Sequence, residues 1–235
     1  MNSTKTTALV PAYNEGPRLA AVLEVITASP RVDETIVIDD GSRDETSEVA
    51  ASFPVKLVRL EENCGKGAAL QAGLEKAADA AYYLFLDADL LNLRHGHIEQ
   101  LLDPLTGDRP AAMTVGIFRQ GKKTSVNLAQ HYFSILNGQR ALSRNFVEIL
   151  PDLRWSRFGV EILLSKYAQL ARQPVAHPEL QGISHVTKEE KFGFPGGFLY
   201  RLRMYQECLY SLFYHKKMIR NFPGKVPAEI LQNIT

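Results

Sequence analysis

Asp87 and Asp89 stand one residue apart at the end of the run Tyr82-Tyr83-Leu84-Phe85-Leu86. An aromatic and aliphatic run of this kind has strand composition. Residues i and i+2 of an extended segment point the same way, so both carboxylates can meet one cation, with the small Ala88 between them leaving room for a ligand. Like charges this close repel unless something positive lies between them. A hard divalent cation carried on a diphosphate meets that need, because such cations keep carboxylate and phosphate oxygens together. A solvated strand end would explain a lone Asp-x-Asp equally well, and the company the pair keeps decides between the two.

That company comes from alternating strand-like and helix-like stretches between residue 6 and about residue 115, the pattern of an open α/β sheet with parallel neighbours. A predicted strand over Thr6 to Val10 breaks at Pro11 and opens into the turn cluster Tyr13-Asn14-Glu15-Gly16-Pro17. A helix follows, with Leu19, Val22, Leu23 and Ile26 as its buried stripe. Thr35-Ile36-Val37-Ile38 reads as a second strand that ends in Asp39-Asp40-Gly41-Ser42, where Ser42 or Asp44 can cap the next helix. Val55 to Leu60 reads as a third strand, a loop carries Lys66, and Ala68 to Ala80 is helical by composition. Functional groups therefore gather at the C-terminal ends of the first, second and fourth strands, the edge where open α/β sheets bind ligands. A chance Asp-x-Asp has no reason to be so placed.

Further along, the spacing predicts a helix around Ile98 to Leu105, a strand over Ala111 to Gly116 and a basic loop from Arg119 to Lys123. Residues 126–150 read as helical with an interruption at Leu136-Asn137-Gly138, Phe158 to Arg172 as a strong helix, Gln181 to Thr187 as a strand, and Gly196 to about Tyr214 as an amphipathic segment. Composition excludes several classes. Lys plus Arg is 27 against 26 Asp plus Glu in 235 residues, which gives no case for nucleic acid. Two distant cysteines, Cys64 and Cys208, exclude a disulfide framework and a Cys-rich zinc site and suit a reducing, cytoplasmic setting. The polar start shows no secretion signal, and no apolar run approaches the roughly 20 residues of a membrane span.

Four blocks in order, Val10-Pro11-Ala12-Tyr13-Asn14-Glu15, Ile38-Asp39-Asp40-Gly41-Ser42-Arg43-Asp44, Asn63-Cys64-Gly65-Lys66-Gly67 and Leu86-Asp87-Ala88-Asp89, resemble the family 2 glycosyltransferases of the GT-A fold. The likeness covers about the first 115 residues. It implies an α/β protein with a mostly parallel central sheet flanked by helices: a GT-A domain over 1–192, with a donor half at 1–115 and an acceptor half at 116–192, and a helical C-terminal extension over 193–235. It implies a UDP- or GDP-linked sugar donor held by Pro11, Tyr13, Glu15, Asp39, Asp40, Lys66 and Asp87. Tyr13 suits the base, the carboxylates suit base or ribose, and Lys66 can offset phosphate charge. Asp87 and Asp89 resemble the family's Mg2+ or Mn2+ motif. Leu91 stands where polyprenyl-phosphate relatives often carry Gln, so Asn92 and His185 are the candidates for a third ligand.

The second half is similar to dolichyl-phosphate-mannose-synthase-like enzymes at Asn137-Gly138-Gln139-Arg140-Ala141-Leu142, which implies that Arg140, with Arg119 after the fifth strand, faces an acceptor phosphate. Phe158-Gly159-Val160-Glu161 resembles a helix start in these enzymes and in glucosyl-3-phosphoglycerate synthases; Glu161 either touches the acceptor or favours the helix N-terminus. No unambiguous general base is present, which favours an acceptor that is already anionic. The expectation is metal-assisted, inverting transfer to a phosphate-bearing acceptor such as polyprenyl phosphate. The alternatives are retaining transfer to a small acid such as phosphoglycerate and a noncatalytic nucleotide-sugar-binding protein. Basic and aromatic residues interleaved over 198–225 suit the inner face of an anionic membrane, or else a core-covering helix or a homodimer contact.

Overall fold

A computed structural model describes residues 4–119, 137–185 and 206–234. At its centre is a seven-stranded sheet in the order β3-β2-β1-β4-β8-β6-β9. These are β1 (Thr6–Ala12), β2 (Glu34–Asp39), β3 (Lys56–Arg59), β4 (Tyr82–Phe85), β6 (Met113–Val115), β8 (Arg140–Ser143) and β9 (Val175–Ala176). β1, β2, β3 and β4 are mutually parallel, and only β8, between β4 and β6, runs against the rest. Two small pairings flank the sheet: β7 (Ile117–Arg119) with β10 (Glu179–Gln181), and β5 (Leu90–Leu91) with β11 (Ser184–His185).

The central strands are apolar on both faces because both faces are covered. In β1, Ala8, Val10 and Ala12 join one core cluster and Leu9 the other; in β4, Leu84 faces the first and Tyr83 and Phe85 the second. The first cluster is closed by Leu19, Val22, Leu23 and Ile26 of α1 (Gly16–Thr27), by Ala50 of α2 (Thr46–Ala51) and by Ile98, Leu101 and Leu102 of α4 (His95–Leu102). The second is closed by Ala69, Leu70 and Leu74 of α3 (Lys66–Lys76) and by Val160, Leu163, Leu164 and Tyr167 of α6 (Val160–Leu170). The first two crossovers thus pass over one face and the third over the other. The switch falls between β1 and β4, and open α/β sheets bind ligands at the strands' C-terminal ends beside such a switch.

Most predicted elements are present with boundaries shifted by a few residues. The reading of 126–150 as helical is corrected: Arg140–Ser143 is the strand β8, and a single helical turn, α5 (Arg144–Val147), follows it, while 120–136 lie outside the described residues. Ala141 sits opposite Leu84 on one side and Thr114 on the other, and pairing from both neighbours outweighs the local propensity of four residues. Of the predicted amphipathic segment, 196–205 lie outside the described residues; the helix α7 spans 206–221 and is followed by α8 (Ala228–Gln232). Ile219, Val226 and Ile234 of this extension belong to the same core cluster as β1, α3 and α6.

Gly159 fixes how α7 sits: a β-carbon there would overlap Ser211 Oγ. Gly159→Ala is expected to cost about 1–3 kcal/mol through overpacking, and Ser211→Gly in that background to return most of it, as read by urea unfolding. Equal stability of Gly159→Ala and the parent would contradict the contact.

Candidate active site

The loops at the C-terminal edge are fastened to one another before any ligand is considered. Asn14, in the left-handed region at φ 54°, donates its N–H to Ser42 Oγ at 2.9 Å, and its side-chain oxygen accepts from Arg43 N at 2.9 Å. Glu15 N donates to Thr46 Oγ1 at 2.9 Å and Gly16 N to Asp44 Oδ2 at 3.1 Å. The amides at the opening of α1 are thereby taken up by the second block and the helix start just after it. Ser42, read from sequence as a candidate cap for the following helix, instead receives the Asn14 amide. Pro11 and Tyr13 are half-buried at this mouth, and Glu15 is buried with Arg18 3.4 Å away.

The adjacent aspartates Asp39 and Asp40 are both used as fasteners. Asp39 is fully buried and accepts from Ser42 N at 2.8 Å and from Ser47 Oγ. Asp40 accepts from Asn63 Nδ2 at 3.0 Å and from the amides of Cys64 and Gly65 at 2.8 Å each, which holds the loop that delivers Lys66. Burial raises the Asp40 carboxyl above its usual range, against the pull of those two amides.

Lys66 opens α3 and reaches under the end of β4. Its Nζ bridges Asp87 Oδ1 and Glu161 Oε1, the latter at 2.5 Å, with all three side chains largely shielded from solvent. Burial works against the Lys66 ammonium, but Asp87 and Glu161 outweigh it and hold the amine above the ordinary lysine value. The second oxygen of Asp87 accepts from Gln139 Nε2 at 2.9 Å. Gly138 allows this approach, since a β-carbon there would lie 2.5 Å from both Lys66 Nζ and Asp87 Oδ2. Asp89 is half-buried two residues on. The strand pairing sets His185 opposite Leu90, the residue after Asp89. Asn92 Nδ2 is 3.4 Å from Gly182 O.

The cationic residues assigned to the acceptor side lie differently. Arg140 is almost wholly buried, with Nε donating to Asn137 O and Nη1 to Ser165 Oγ, both at 2.9 Å. Burial pushes its guanidinium down to about 10, opposed by Glu161 and Asp87, so it is a cation at neutral pH within the field of both carboxylates. Arg119 is half-exposed and pairs with Glu179 at 2.8 Å. The structure therefore brings together Lys66, Asp87, Glu161, Gln139 and Gly138, with Asp89 beside them, and sets Arg119 apart. Gln139 and Gly138 had no role in the sequence reading, although both lie inside the motif quoted for Arg140; recognising a strand there would have drawn attention to them.

The family model described as "Glycosyl transferase family 2" matches residues 7–161. The chain belongs to that family. As a family 2 glycosyltransferase domain it is 32% identical over 157 residues to glycosyltransferase AglJ of Haloferax volcanii, covering 62% of this chain and 48% of that protein. It is 34% identical over 97 residues to the dolichyl-phosphate beta-glucosyltransferase of Dictyostelium discoideum, covering 34% and 29%. The chain thus spans half or less of the length of these relatives. Among solved structures, glucosyl-3-phosphoglycerate synthase from Mycobacterium tuberculosis, in complex with Mn2+, UDP and phosphoglyceric acid, is 26% identical with a TM-score of 0.71, covering 91% of this chain and 78% of that one. The same synthase is also known with Mg2+ and UDP. The GT-A architecture expected from the four blocks is the one present.

Three substitutions test the cluster. Lys66→Met leaves Asp87 and Glu161 facing each other without a cation, and urea unfolding is expected to show a loss of about 2–4 kcal/mol, at or below the range for breaking buried pairs because Asp87 is partly solvated. Glu161→Gln added to Lys66→Met should recover part of that loss; no recovery would contradict the bridge. Gly138→Ala should fold with about 1 kcal/mol lost.

Proposed function

We propose that this domain transfers a sugar from a nucleoside-diphosphate donor to a phosphate-bearing acceptor, a polyprenyl phosphate, with inversion at the anomeric carbon. The observation that carries the reading is the Lys66 ammonium bridged between Asp87 and Glu161 at the C-terminal edge of β4, on a chain of glycosyl transferase family 2. The fastened loops after β1 and β2 shape the donor pocket, with Tyr13 for the base and Glu15 for the ribose or base. Asp39 serves by holding the loop after β2, and Asp40 by holding the loop that delivers Lys66. A UDP-sugar is the first candidate donor, because the structurally similar synthase binds UDP.

The donor chemistry fits Mg2+ or Mn2+. Asp87 and Asp89 offer hard oxygens, and His185 lies on the strand paired beside Asp89. Among the described residues there is no cluster of three or more His, Cys, Asp or Glu suited to a metal, and magnesium is ordinarily held by one or two carboxylates together with substrate phosphates. When bound, the ion supplies positive charge to the departing diphosphate. Lys66 adds a second cation on the protein side, released toward the diphosphate as it arrives. Gln139 keeps Asp87 oriented, and buried Arg140 offsets the two carboxylates so that the site does not repel its anionic substrates. An acceptor phosphate oxygen attacks C1 from the face opposite the diphosphate; the new C1–O bond forms as the bond to the β-phosphate oxygen breaks, and its electron pair leaves with the nucleoside diphosphate. The acceptor is anionic already, so no base is required. Arg119 is proposed to meet the acceptor phosphate by exchanging Glu179 for it.

The outer face of α7 supports a lipid-linked acceptor. Leu209, Tyr210, Phe213 and Tyr214 are exposed there, Phe213 at 73%, beside Lys216, Lys217 and Arg220. No helix among the described residues is long and apolar enough to cross a membrane, so contact with an anionic leaflet would be peripheral; self-association through the same face is the competing occupant. A second reading, retaining transfer to phosphoglycerate, is favoured by the likeness to the synthase over 91% of this chain.

The test is nucleoside-diphosphate release across UDP-, GDP- and dTDP-sugars with Mn2+, Mg2+ or EDTA, with polyprenyl phosphate and 3-phosphoglycerate as separate acceptor arms and the product anomer assigned by NMR. Metal-dependent release that rises with polyprenyl phosphate, and falls at least 100-fold in Asp89→Ala, is expected. A product formed only with phosphoglycerate would replace the proposed acceptor, and activity in EDTA equal to that with Mn2+ would contradict the metal.

A further inference from the structure

Arg157 is held at φ 46°, ψ −117°, inside the 3-10 turn Arg154–Gly159 that leads into α6. A non-glycine residue keeps such a backbone only where its surroundings impose it, and such sites gather where function demands a fixed geometry. Here Arg157 and the residue after it are contacted from α7. Glu207, near the start of α7, accepts from Arg157 Nε through Oε1 and from the Phe158 amide through Oε2, both at 3.2 Å. Arg157 Nη1 reaches Cys64 O at 3.4 Å. The Arg157 backbone lies against Gly65, where an added β-carbon would stand 3.1 Å from Arg157 Cα. One turn onward, Ser211 abuts Gly159.

These contacts span both ends of the site's central ion pair. Gly65 immediately precedes Lys66, and Glu161 lies four residues after Arg157. We propose that Glu207 is a positioning residue: latched to Arg157 and the Phe158 amide, it presses Arg157 against Gly65 and so sets where the Lys66 ammonium and the Glu161 carboxylate meet. Its kinetic consequence rests on the transferase reading above; its structural consequence does not. The latch also makes α7, with its exposed outer face, mechanically continuous with the donor-side loop.

The experiment has an exchange arm and a kinetic arm on the full chain. Glu207→Gln keeps the volume and one acceptor but removes the charge that holds the guanidinium. Arg157→Gly removes the guanidinium itself and leaves α7 unchanged, and glycine tolerates the backbone conformation. Amide exchange of peptides spanning 64–67 and 157–161 is expected to quicken about tenfold in either variant, with α1 and α4 unaltered and the thermal midpoint within a few degrees of the parent. The amide of Gly65, bonded to Asp40 at 2.8 Å, is the most direct reporter. In the kinetic arm, kcat should fall about tenfold while donor KM stays within about threefold, since the ammonium acts on charge that develops during departure of the diphosphate. The double variant should be no worse than either single one, because both act through one contact. Unchanged exchange at 64–67 would overturn the latch. Faster exchange with unchanged kcat would overturn its role in the reaction. A parent without turnover would contradict the transferase reading and leave the exchange arm to decide the latch.

Discussion

The bridge from Lys66 to Asp87 and Glu161 is the interaction on which the rest of the site depends. Two carboxylates brought together at the end of a buried strand repel, and the low local dielectric makes that repulsion costly. One ammonium between them removes it and, on the proposed transferase reading, is the cation that meets the charge gathering on the diphosphate. The bridge also joins three distant parts of the chain: α3 supplies Lys66, the end of β4 supplies Asp87, and α6 supplies Glu161. The Gly138-Gln139 approach completes the enclosure from the residues that lead into the strand running against the others.

Much of the surrounding structure can be understood as what it takes to hold that bridge at the edge of an open sheet. Parallel strands with both faces covered place all their C-terminal ends on one side, and the change of crossover face between β1 and β4 marks that side as the ligand-binding edge. Loops at such an edge would be mobile if left alone, because their amides have no ladder partner. Here those amides are taken up by side chains: Ser42, Asp44 and Thr46 receive the loop after β1, Asp39 receives Ser42, and Asp40 receives the loop before Lys66. Buried carboxylates are expensive unless hydrogen-bonded, and these are bonded to backbone amides whose positions they fix.

The strand ends and the polar residues they carry were legible in the sequence because they depend on local rules: alternation along a strand, a stripe on a helix, and glycine where a chain turns. The four ordered blocks added the fold. What sequence did not show was set by tertiary neighbours. Arg140–Ser143 has no strand signal of its own and is a strand because β4 and β6 lie on either side. Arg140 looked like an acceptor-facing cation and is instead buried against Asn137 and Ser165. Asp39 and Asp40 looked like ligand groups, yet their partners lie up to 25 residues further along the chain. Glu207 is an ordinary acidic residue in a basic segment until its contact with Arg157, across 50 residues, is seen.

The most direct measurement of the central claim is a crystal structure with a UDP-sugar and Mn2+ bound. The account predicts a diphosphate oxygen at about 3 Å from Lys66 Nζ, within hydrogen-bond range, the metal on Asp89 and the base against Tyr13. A nucleotide seated elsewhere, or one in this crevice with Lys66 still locked between Asp87 and Glu161 and no phosphate near it, would contradict the account.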